Sequence, residues 1–442
     1  MGKRLLALMT ALVCLLPAAA FAAVKLDVTF TVTEGKSAVH YSFQVPGEEF
    51  VLLEYTAPKE SGRMVIHAEN DNRFVGDIPL YYSDVGGKVI LKVKNLENRE
   101  LGKGEVKLPA ADGYQAPKGQ SNAKVKNLVL QETAEGFTYS FEAAGTDYMI
   151  LHFRNKQESG EMPVYPDESG VYSGEVTLPL TYARTLSTVQ IRNGKGTKKA
   201  EATVRKGFKA PDAPEKKEGP LSGLVVCIDP GHQENGQPFS EPVGPGLPGK
   251  KTGTTGMAQG KVTLRKESIV VLEIAFRLRD ILMEQGATVI MTRERQDIFH
   301  TNLERCQIAE DAGAFIMLRL HCDTRENSKK QGLSLYMPLN SDYAKAVAGK
   351  EEYRQMGQIM LDCIKVSAGY SLDTSSGTVH QSDQFIGNNW AKMICFLIEL
   401  GYMSNPEEDY LLSHPVHQQR LAEGMAQGVY EIAVFRGLIE EE

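Results

Sequence analysis

The stretch Leu224-Val225-Val226-Cys227-Ile228 runs without interruption into Asp229-Pro230-Gly231-His232. An apolar run followed by an acidic residue, a Pro-Gly turn and a histidine is typical of a buried strand of a parallel sheet that ends in a polar loop. In open α/β sheets, ligands bind outside the carboxyl ends of such strands. The sequence therefore predicts that His232 projects from the rim of a parallel sheet.

Two later stretches repeat this pattern. The apolar run that begins at Phe315 ends in His321, and Ile394-Cys395-Phe396-Leu397-Ile398 ends in Glu399. A predicted helix that opens with Glu267 lies between the first two strands. Two histidines and two glutamates are thus expected at one rim. A zinc hydrolase needs this set, because it uses three protein ligands, an open position for water and a carboxylate that moves protons.

Each of these residues also has a less specific explanation. A lone histidine in a loop is usually a solvated side chain, and Glu267 places favourable charge at a helix N-terminus. Glu399 is hardest to explain in this way, because a carboxylate at the end of a buried strand is costly unless a cation or a proton accompanies it. Asp229 and Asp323 are alternatives as a ligand or as a residue that orients a ligating histidine, and His380 is a further candidate imidazole.

A loop before the Glu399 strand carries the predicted substrate contacts. Gly387-Asn388-Asn389-Trp390 holds the one tryptophan of the chain. Two amides and an indole suit binding of a peptide or a sugar face, although an ordinary loop with a packed aromatic residue gives the same pattern. We expect Asn388, Asn389, Trp390 and Arg319 to contact substrate.

The first residues are typical of an export signal. Two basic residues precede the apolar run Leu5 to Ala19, and Ala20-Phe21-Ala22 fits a cleavage site, so the mature chain is expected to begin near Ala23. A membrane anchor is the alternative, but Pro17 interrupts the run and about twenty unbroken apolar residues are normally needed. We expect a secreted protein of the cell wall or periplasm, with no stable membrane anchor after cleavage.

Composition narrows the class of protein. The mature chain would have 442 − 22 = 420 residues, which suggests about three domains. Loss of Lys3 and Arg4 changes the formal net charge from −7 to −9, which argues against a nucleic-acid partner. Loss of Cys14 leaves five of the six cysteines, so at least one thiol is unpaired. Cys227 and Cys395 are expected to be small buried residues of strands.

The first half contains a duplication. Tyr41-Ser42-Phe43 recurs as Tyr139-Ser140-Phe141, an offset of 139 − 41 = 98. The same offset relates other pairs, including Gly47 and Gly145, Glu60-Ser61-Gly62 and Glu158-Ser159-Gly160, Met64 and Met162, and Gly76 and Gly174. Apolar and polar residues alternate in each copy, with turn residues between the runs, as in β-sandwich modules of immunoglobulin-like size. We assign residues 23–110 to the first copy and residues 122–207 to the second.

The organisation changes after the second copy. Residues 208–220 are rich in Pro, Lys, Glu and Gly and lack periodicity, so we interpret them as a linker. From residue 221 to residue 442, predicted strands alternate with predicted helices. This alternation predicts an α/β domain with a mostly parallel sheet and helices on both faces. The predicted order is a signal peptide at 1–22, two all-β sandwich modules, a linker and the α/β domain.

The second half resembles the catalytic domain of zinc-dependent N-acetylmuramoyl-L-alanine amidases, the Amidase_3 family. The matching pieces are Ile228-Asp229-Pro230-Gly231-His232, Glu267, Thr292-Arg293, Leu303 to Arg305, Leu320-His321, and Ile398 to Glu407. The resemblance implies that His232, Glu267 and His321 hold one Zn²⁺ and that Glu399 is the catalytic acid and base. It also implies hydrolysis of the amide between N-acetylmuramic acid and the L-alanine of the peptide stem.

The chain departs from the usual pattern of this family at several positions. Gln233-Glu234 stands where Gly-Gly is usual, and the Gly- and Pro-rich segment 233–266 is longer than common. We expect this segment to form a mobile wall of a substrate groove. Arg319 and Cys322-Asp323 replace the commoner serine before His321 and the commoner Ala-Asn after it. None of these differences removes a predicted ligand.

Two other functions fit the same residues. A different zinc peptidase of the cell wall, such as a carboxypeptidase, is one, and a wall-binding or adhesive protein with an inactive amidase fold is the other. The presence of all four predicted site residues favours an active amidase with peptidoglycan as its partner. Non-catalytic domains often hold related enzymes on the cell wall, and by analogy this is the expected role of the β modules.

Overall fold

The computed structural model describes residues 24–33, 36–69, 72–80, 85–110, 123–236, 239–253, 256–369 and 379–440. The predicted signal peptide, residues 1–22, lies outside the described residues. The chain divides into two compact units, Met1–Pro58 with Ile66–Ala111, and Lys59–Val65 with Asp112–Glu442. No helix in the described ranges is both long and apolar enough to cross a membrane.

The strands of the first β copy pair in antiparallel fashion, apart from a short first strand that pairs in parallel with the last strand. Its strands are β1 (Val24–Lys25), β2 (Asp27–Thr33), β3 (Lys36–Gln44), β4 (Phe50–Thr56), β5 (Glu60–His67), β6 (Arg73–Leu80), β7 (Val85–Lys94) and β8 (Glu100–Ala110). In the first unit, β2, β3 and β6 form one sheet, and β8, β7 and β4 are neighbours in another. Alternate residues such as Val39, Phe43 and Ile78 are buried, because successive side chains of a strand point to opposite faces.

The second copy has the same strand order. Its strands are β9 (Lys124–Glu132), β10 (Gly136–Ala144), β11 (Met149–Arg154), β12 (Glu158–Val164), β13 (Val171–Thr177), β14 (Leu186–Arg192) and β15 (Lys198–Arg205). One sheet has the order β9-β10-β13, and β15, β14, β11 and β12 are neighbours in the other. Phe137 of the first sheet meets Phe153 of the second edge-on, with ring centroids 6.4 Å apart, so the sheets pack face to face. The predicted all-β fold of the first half is confirmed.

Equivalent residues of the two copies make the same contact. Tyr41 lies opposite Gly76 on β3 and β6, and Tyr139 lies opposite Gly174 on β10 and β13. A Cβ atom on Gly76 would lie 2.5 Å from Tyr41 Oη, and one on Gly174 would lie 2.7 Å from Tyr139 Oη. Each tyrosine therefore covers its glycine, and this shared contact supports the proposed duplication.

The α/β domain is built around a six-stranded sheet with the order β19-β16-β20-β23-β21-β22. Its elements are β16 (Val225–Pro230), β17 (Ser240–Gly244), β18 (Leu247–Thr252), α1 (Glu267–Glu284), β19 (Thr288–Met291), α2 (Asn302–Asp311), β20 (Ile316–Asp323), β21 (Ser334–Met337), α3 (Asp342–Val347), α4 (Lys350–Ala368), β22 (Val379–Gln381), α5 (Ile386–Trp390), β23 (Ile394–Tyr402), α6 (Pro406–Ser413) and α7 (Pro415–Phe435). The hairpin β17-β18 and the short helix α5 occupy segments that the sequence pattern assigned to loops.

The sheet is mixed, with a parallel centre. Strands β19, β16, β20 and β23 are parallel, whereas β21 runs antiparallel to β23 and pairs in parallel with β22. Residues 324–333 connect β20 to β21 without a helix. A parallel crossover normally requires such a helix, so the chain turns back here. The α/β class and the mostly parallel sheet are confirmed.

Helices cover both faces of this sheet. Val226 and Ile228 of β16 belong to a large core that includes residues of α1, α4 and α7. Cys227, between them, faces a smaller cluster that includes Ala309 of α2. Cys227 and Cys395 are fully buried, as predicted, and the described cysteines are free thiols.

The predicted linker is packed against the α/β domain. Residues 208–220 form no helix or strand, but the Phe208 ring stacks on Phe276 of α1 with centroids 6.1 Å apart. Arg279 of the same helix donates to the carbonyl of Pro211 at 3.2 Å. Residues 208–220 therefore pack along the surface of α1.

We expect Gly174→Val to destabilise the second β copy by about 1–3 kcal/mol, because the new side chain would overlap the ring of Tyr139. Hydrogen exchange of the amides in β10 and β13 measures this local opening free energy. The matched control is Ser173→Val on the same strand, where the exposed position and the β propensity of valine predict no loss. Equal protection from exchange in both variants would show that the Tyr139 contact does not contribute to stability.

Because His417 of α7 is buried, we expect acid to lower the stability of the α/β domain. Burial lowers the pKa of His417 from 6.5 to about 4, with the nearby Arg420 acting in the same direction. Between these two pKa values, His417 is protonated in the unfolded chain but stays neutral in the folded chain. The free energy of unfolding therefore decreases as the pH falls through this range. The loss amounts to about 3 kcal/mol at pH 4.

Replacement of His417 by glutamine tests this linkage. Urea unfolding followed by the fluorescence of Trp390, the one tryptophan, reports on the α/β domain. The stability difference between the natural chain and His417→Gln should shrink or reverse between pH 7.5 and pH 4. Two parallel stability curves would contradict the burial of a neutral His417.

Candidate active site

Three parts of the fold bring His232, His321 and Glu267 together. Strand β16 ends at Pro230, two residues before His232, and the neighbouring parallel strand β20 contains His321 near its end. The carboxyl ends of adjacent parallel strands lie at the same edge of a sheet, so the two imidazoles are close, with ring centroids 4.9 Å apart. Helix α1 packs beside these strands and begins with Glu267.

The Glu267 carboxylate contacts both histidines. Its Oε2 atom lies 3.0 Å from Nε2 of His232, and its Oε1 atom lies 3.0 Å from Nδ1 of His321. Backbone amides also donate to it, that of Ala258 to Oε2 at 2.8 Å and that of Cys322 to Oε1 at 3.0 Å. The carboxylate is therefore held in one orientation between the two rings.

These residues fit a divalent metal ion. One donor atom from each of His232, Glu267 and His321 lies within 4.8 Å of the others. The Nε2 atom of His321 is buried and has no hydrogen-bond partner among the described residues. Two imidazoles and one carboxylate are a ligand set of catalytic zinc sites, with a fourth position for water or substrate.

The protonation states also suit metal binding. Burial alone raises the pKa of Glu267, but the two adjacent histidines outweigh it and hold that pKa well below its usual range. Burial lowers the pKa of His321, more than its hydrogen bond to Glu267 raises it. A carboxylate and a neutral imidazole are the forms that bind metal.

Glu399 lies next to this group. It stands opposite His321 in the register of β20 and β23. Burial and the neighbouring carboxylates of Glu267 and Asp323 raise the pKa of Glu399 well above its usual value. Its Oε2 atom is shielded from solvent without a hydrogen-bond partner in the described ranges. With the two histidines, Glu399 lines a cavity of about 380 Å³.

Comparison with known proteins identifies this half of the chain. The profile of the N-acetylmuramoyl-L-alanine amidase family Amidase_3 matches residues 226–431. Residues 226–431 form an Amidase_3 domain. The germination-specific N-acetylmuramoyl-L-alanine amidase of Bacillus subtilis is 26% identical over 231 residues, which are 49% of this chain and 83% of that protein.

Two further relatives match the same amidase domain. The probable cell wall amidase LytH of Staphylococcus aureus is 26% identical over 214 residues, which are 48% of this chain and 60% of that protein. The crystal structure of the N-acetylmuramyl-L-alanine amidase Ami1 from Mycobacterium smegmatis aligns with 48% of this chain and 97% of that chain, at 21% identity and a TM-score of 0.43. The family match does not extend into the two β copies.

The other candidate ligands of the amidase domain lie outside the His-Glu-His group. His380 stacks on Tyr336 with ring centroids 5.0 Å apart. Asp323 pairs with Arg325 at 3.0 Å. Asp229 is fully buried and accepts hydrogen bonds from Arg305, Arg319 and Thr292 rather than from a histidine.

The predicted substrate contacts occupy different environments. Arg319 lines the cavity, although its guanidinium is buried against Asp229. Asn388 and Asn389 are fully buried, and their amides donate to backbone carbonyls of neighbouring segments. Trp390 Nε1 donates to the Pro242 carbonyl of the hairpin β17-β18 at 2.9 Å. In this part of the chain the cavity is lined by residues 384–386, and contact of residues 388–390 with substrate stays a prediction.

Sequence reasoning missed the role of two buried arginines that fix the backbone around the site. Arg293 donates to the carbonyl of Gly231 at 2.7 Å and to that of Ser268 at 2.8 Å, so it joins the His232 loop to the start of α1. Arg305 donates to the carbonyl of His232 at 2.9 Å. The signal was present, since Thr292-Arg293 directly follows β19, where an arginine needs a specific reason to be buried.

His232 needs this support because of its backbone conformation. Its φ angle is +60°, in the left-handed region that non-glycine residues rarely adopt. Such residues persist where surrounding contacts determine the conformation. Gln233 adds a further contact, because its Oε1 accepts from Arg305 at 2.9 Å and from the amide of His300 at 3.0 Å. One of the two residues that depart from the glycines of the family is therefore used in holding the loop.

We expect Asp229→Asn to destabilise the amidase domain by about 3–5 kcal/mol, because removal of one charge leaves buried guanidinium groups uncompensated. Burial raises the pKa of Asp229, but Arg305 and Arg319 outweigh burial and hold it well below its usual range, so the carboxylate is charged at neutral pH. Urea unfolding followed by Trp390 fluorescence measures the loss. Asp297→Asn is the control, because its ion pair with Arg295 is exposed and should contribute less than about 1 kcal/mol.

Proposed function

We propose that this chain is an exported, zinc-dependent amidase that cleaves the amide between N-acetylmuramic acid and the L-alanine of the peptide stem of peptidoglycan. The observation that carries the proposal is the convergence of His232, Glu267 and His321 beside Glu399, in a domain of the amidase family. The match to cell wall amidases supports peptidoglycan as the substrate.

In this proposal, His232, Glu267 and His321 hold one Zn²⁺. Bound Zn²⁺ supplies Lewis acidity, which polarises the substrate carbonyl and activates water. The residues contribute a neutral, oriented ligand set. Glu267 is fixed by the amides of Ala258 and Cys322, and the backbone of His232 is fixed by Arg305.

Glu399 moves the proton. Its raised pKa makes the carboxylate a better proton acceptor than an ordinary glutamate, and Oε2 is the oxygen without a hydrogen-bond partner among the described residues. As water attacks the carbonyl carbon, Glu399 accepts the water proton. When the carbon–nitrogen bond breaks, it donates that proton to the departing amine, which becomes the free amino group of L-alanine.

In this proposal, the substrate binds in the cavity beside Glu399. Lys251, Thr252 and Gly253, at the end of the hairpin β17-β18, line it on one side, and Phe385 lines it on another. Glu241 of the hairpin accepts a hydrogen bond from the Asn302 amide of α2 at 3.2 Å. In this proposal, the hairpin, which is tied to α2, forms part of the predicted groove wall.

The remaining assignments complete the proposal. Residues 1–22 are the proposed signal peptide, residues 23–110 and 122–207 the two β modules, residues 208–220 the linker and residues 221–442 the catalytic domain. The modules are proposed to hold the enzyme on the cell wall.

We expect Glu399→Gln to lower the rate of dye release from purified sacculi by about 10²–10⁴-fold while zinc stays bound, because glutamine cannot transfer the proton. His321→Ala should instead lose the metal. Zinc content by atomic spectroscopy and dye release separate the two roles. Loss of zinc in Glu399→Gln would make Glu399 a ligand and require another base.

Glu407→Gln is the matched control, because Glu407 is an exposed residue at the start of α6 and should leave the rate unchanged. Chelation should abolish the rate, and added zinc should restore it. Product analysis should find new L-alanine amino termini on released peptides and an intact glycan. Cleavage inside the peptide stem would indicate a carboxypeptidase, and activity after complete metal removal would refute the zinc mechanism.

A further inference from the structure

Three contacts join the second β copy to the segments that carry the metal ligands. The copy and the amidase domain belong to the same compact unit. One contact involves Glu234, two residues after His232, and the others involve Thr263 and Arg265, which precede Glu267. The contacts therefore fall on the chain segments on either side of the site.

Glu234 is held by two arginines of the second β copy. Its carboxylate accepts hydrogen bonds from Nη2 of Arg184 at 2.8 and 2.9 Å and pairs closely with Nη1 of Arg205. The side chains of Glu234 and Arg184 are 18% and 19% exposed, so the pair is largely removed from water. Charged hydrogen bonds in such surroundings are stronger than exposed ion pairs.

Arg184 has an unusual backbone that aims it at this contact. Its φ angle is +64°, in the left-handed region, and its amide donates to the carbonyl of Lys206 at 2.8 Å. Its second guanidinium nitrogen, Nη1, bonds Glu132 of the same copy at 2.7 Å. A non-glycine residue keeps this conformation where surrounding contacts determine it. One strained residue, Arg184, thus makes the contact on the β copy, and a second, His232, lies two residues before Glu234 in the ligand loop.

The second point of attachment lies before Glu267. The guanidinium of Arg265 lies over the ring of Tyr182, 4.7 Å from the ring centroid, and pairs with Glu273 of α1. Gln157 donates from Nε2 to the carbonyl of Thr263 at 3.2 Å, a buried hydrogen bond. The ring and the amide therefore fix the approach of the chain to the first residue of α1.

We propose that the second β copy is a positioning element of the active site: Arg184 and Arg205 fix the His232 loop through Glu234, and Tyr182 and Gln157 fix the approach to Glu267. The inference rests on the proposed metal site. Residues between the two ligands include the glycines 236, 244, 246, 249, 253, 256 and 260. Such a segment loses much conformational entropy on ordering, and attachment to a rigid sandwich offsets part of that cost.

The first test removes the charge of Glu234 in the full chain. Glu234→Gln should weaken Zn²⁺ affinity about tenfold, the lower end of the 10–100-fold loss seen when groups that orient metal ligands are removed. Affinity is measured by competition with a chromogenic chelator. The absorption spectrum of the Co²⁺-substituted protein should change as well, because it reports the geometry of the ligands rather than overall stability.

A variant cycle shows whether the arginines act through Glu234. The double variant Arg184→Gln with Arg205→Gln should match the loss of Glu234→Gln, and the triple variant should lose no more than either, since the contact is already broken. Glu132→Gln is the control, because it removes a partner of Arg184 without touching the amidase domain, and it should keep Zn²⁺ affinity and the Co²⁺ spectrum. Additive losses would overturn the proposed route.

Hydrogen exchange tests positioning without any metal. In the metal-free chain, Glu234→Gln should speed exchange at residues 231–236, and Tyr182→Leu should speed it at residues 263–267. Tyr182→Phe keeps the ring over Arg265 and should behave like the natural chain. Unchanged exchange in Glu234→Gln and Tyr182→Leu would overturn the positioning role. If the variants show these exchange differences but the natural chain binds no zinc, the proposed function is refuted and the positioning role is not.

Discussion

The carboxylate of Glu267 is the group on which the rest of the site depends. It is almost wholly removed from solvent and lies 3.0 Å from a ring nitrogen of His232 and of His321. A buried negative charge is stable only where donors or positive charge surround it. Two backbone amides and two imidazoles do so here, and a bound cation would add to them. The Glu267 carboxylate therefore links the ends of strands β16 and β20 to the start of helix α1.

A layer of buried arginines holds the loops around this carboxylate. Arg293 donates to backbone carbonyls, and Arg305 donates to the carbonyl of His232 as well as to side chains, so both hold the ligand-bearing segments in place. Burying guanidinium groups is costly, and Asp229 offsets that cost for Arg305 and Arg319. Metal ligands alone cannot hold His232 in its left-handed conformation before metal arrives. The arginines provide a site that is organised in advance.

The second β copy extends this support beyond the catalytic fold. A wall-retention module needs only a tether, but residues 208–220 pack along α1, and Arg184 and Arg205 reach Glu234 beside the site. Attachment of the sandwich at these points would couple the proposed wall-binding role of the β modules to the geometry of the candidate site. The tyrosine–glycine contact occurs in both proposed copies, whereas the arginines of this interface belong to the second copy.

The sequence determined the central architecture, and it named the residues that the structure brings together as the candidate site. Apolar runs that end in His321 and Glu399 are long enough for buried strands, and strand–helix alternation fixes parallel pairing, so the ends of these strands must share one rim. The direction of β21 was not predictable in this way, because it depends on a connection that happens to lack a helix. The burial of Asn388 and Asn389 was not predictable either, since a polar pattern does not reveal a backbone partner.

Only the tertiary structure decided which distant charges meet. Arg184 lies 50 residues before Glu234, and no periodic pattern connects them. Local sequence sets helix and strand through repeating side-chain positions, which act over a few residues. Ion pairs between separate layers depend instead on how those layers pack. The sequence therefore determined which residues could form the site, and the packing of one sandwich and one α/β sheet decided what holds them in place.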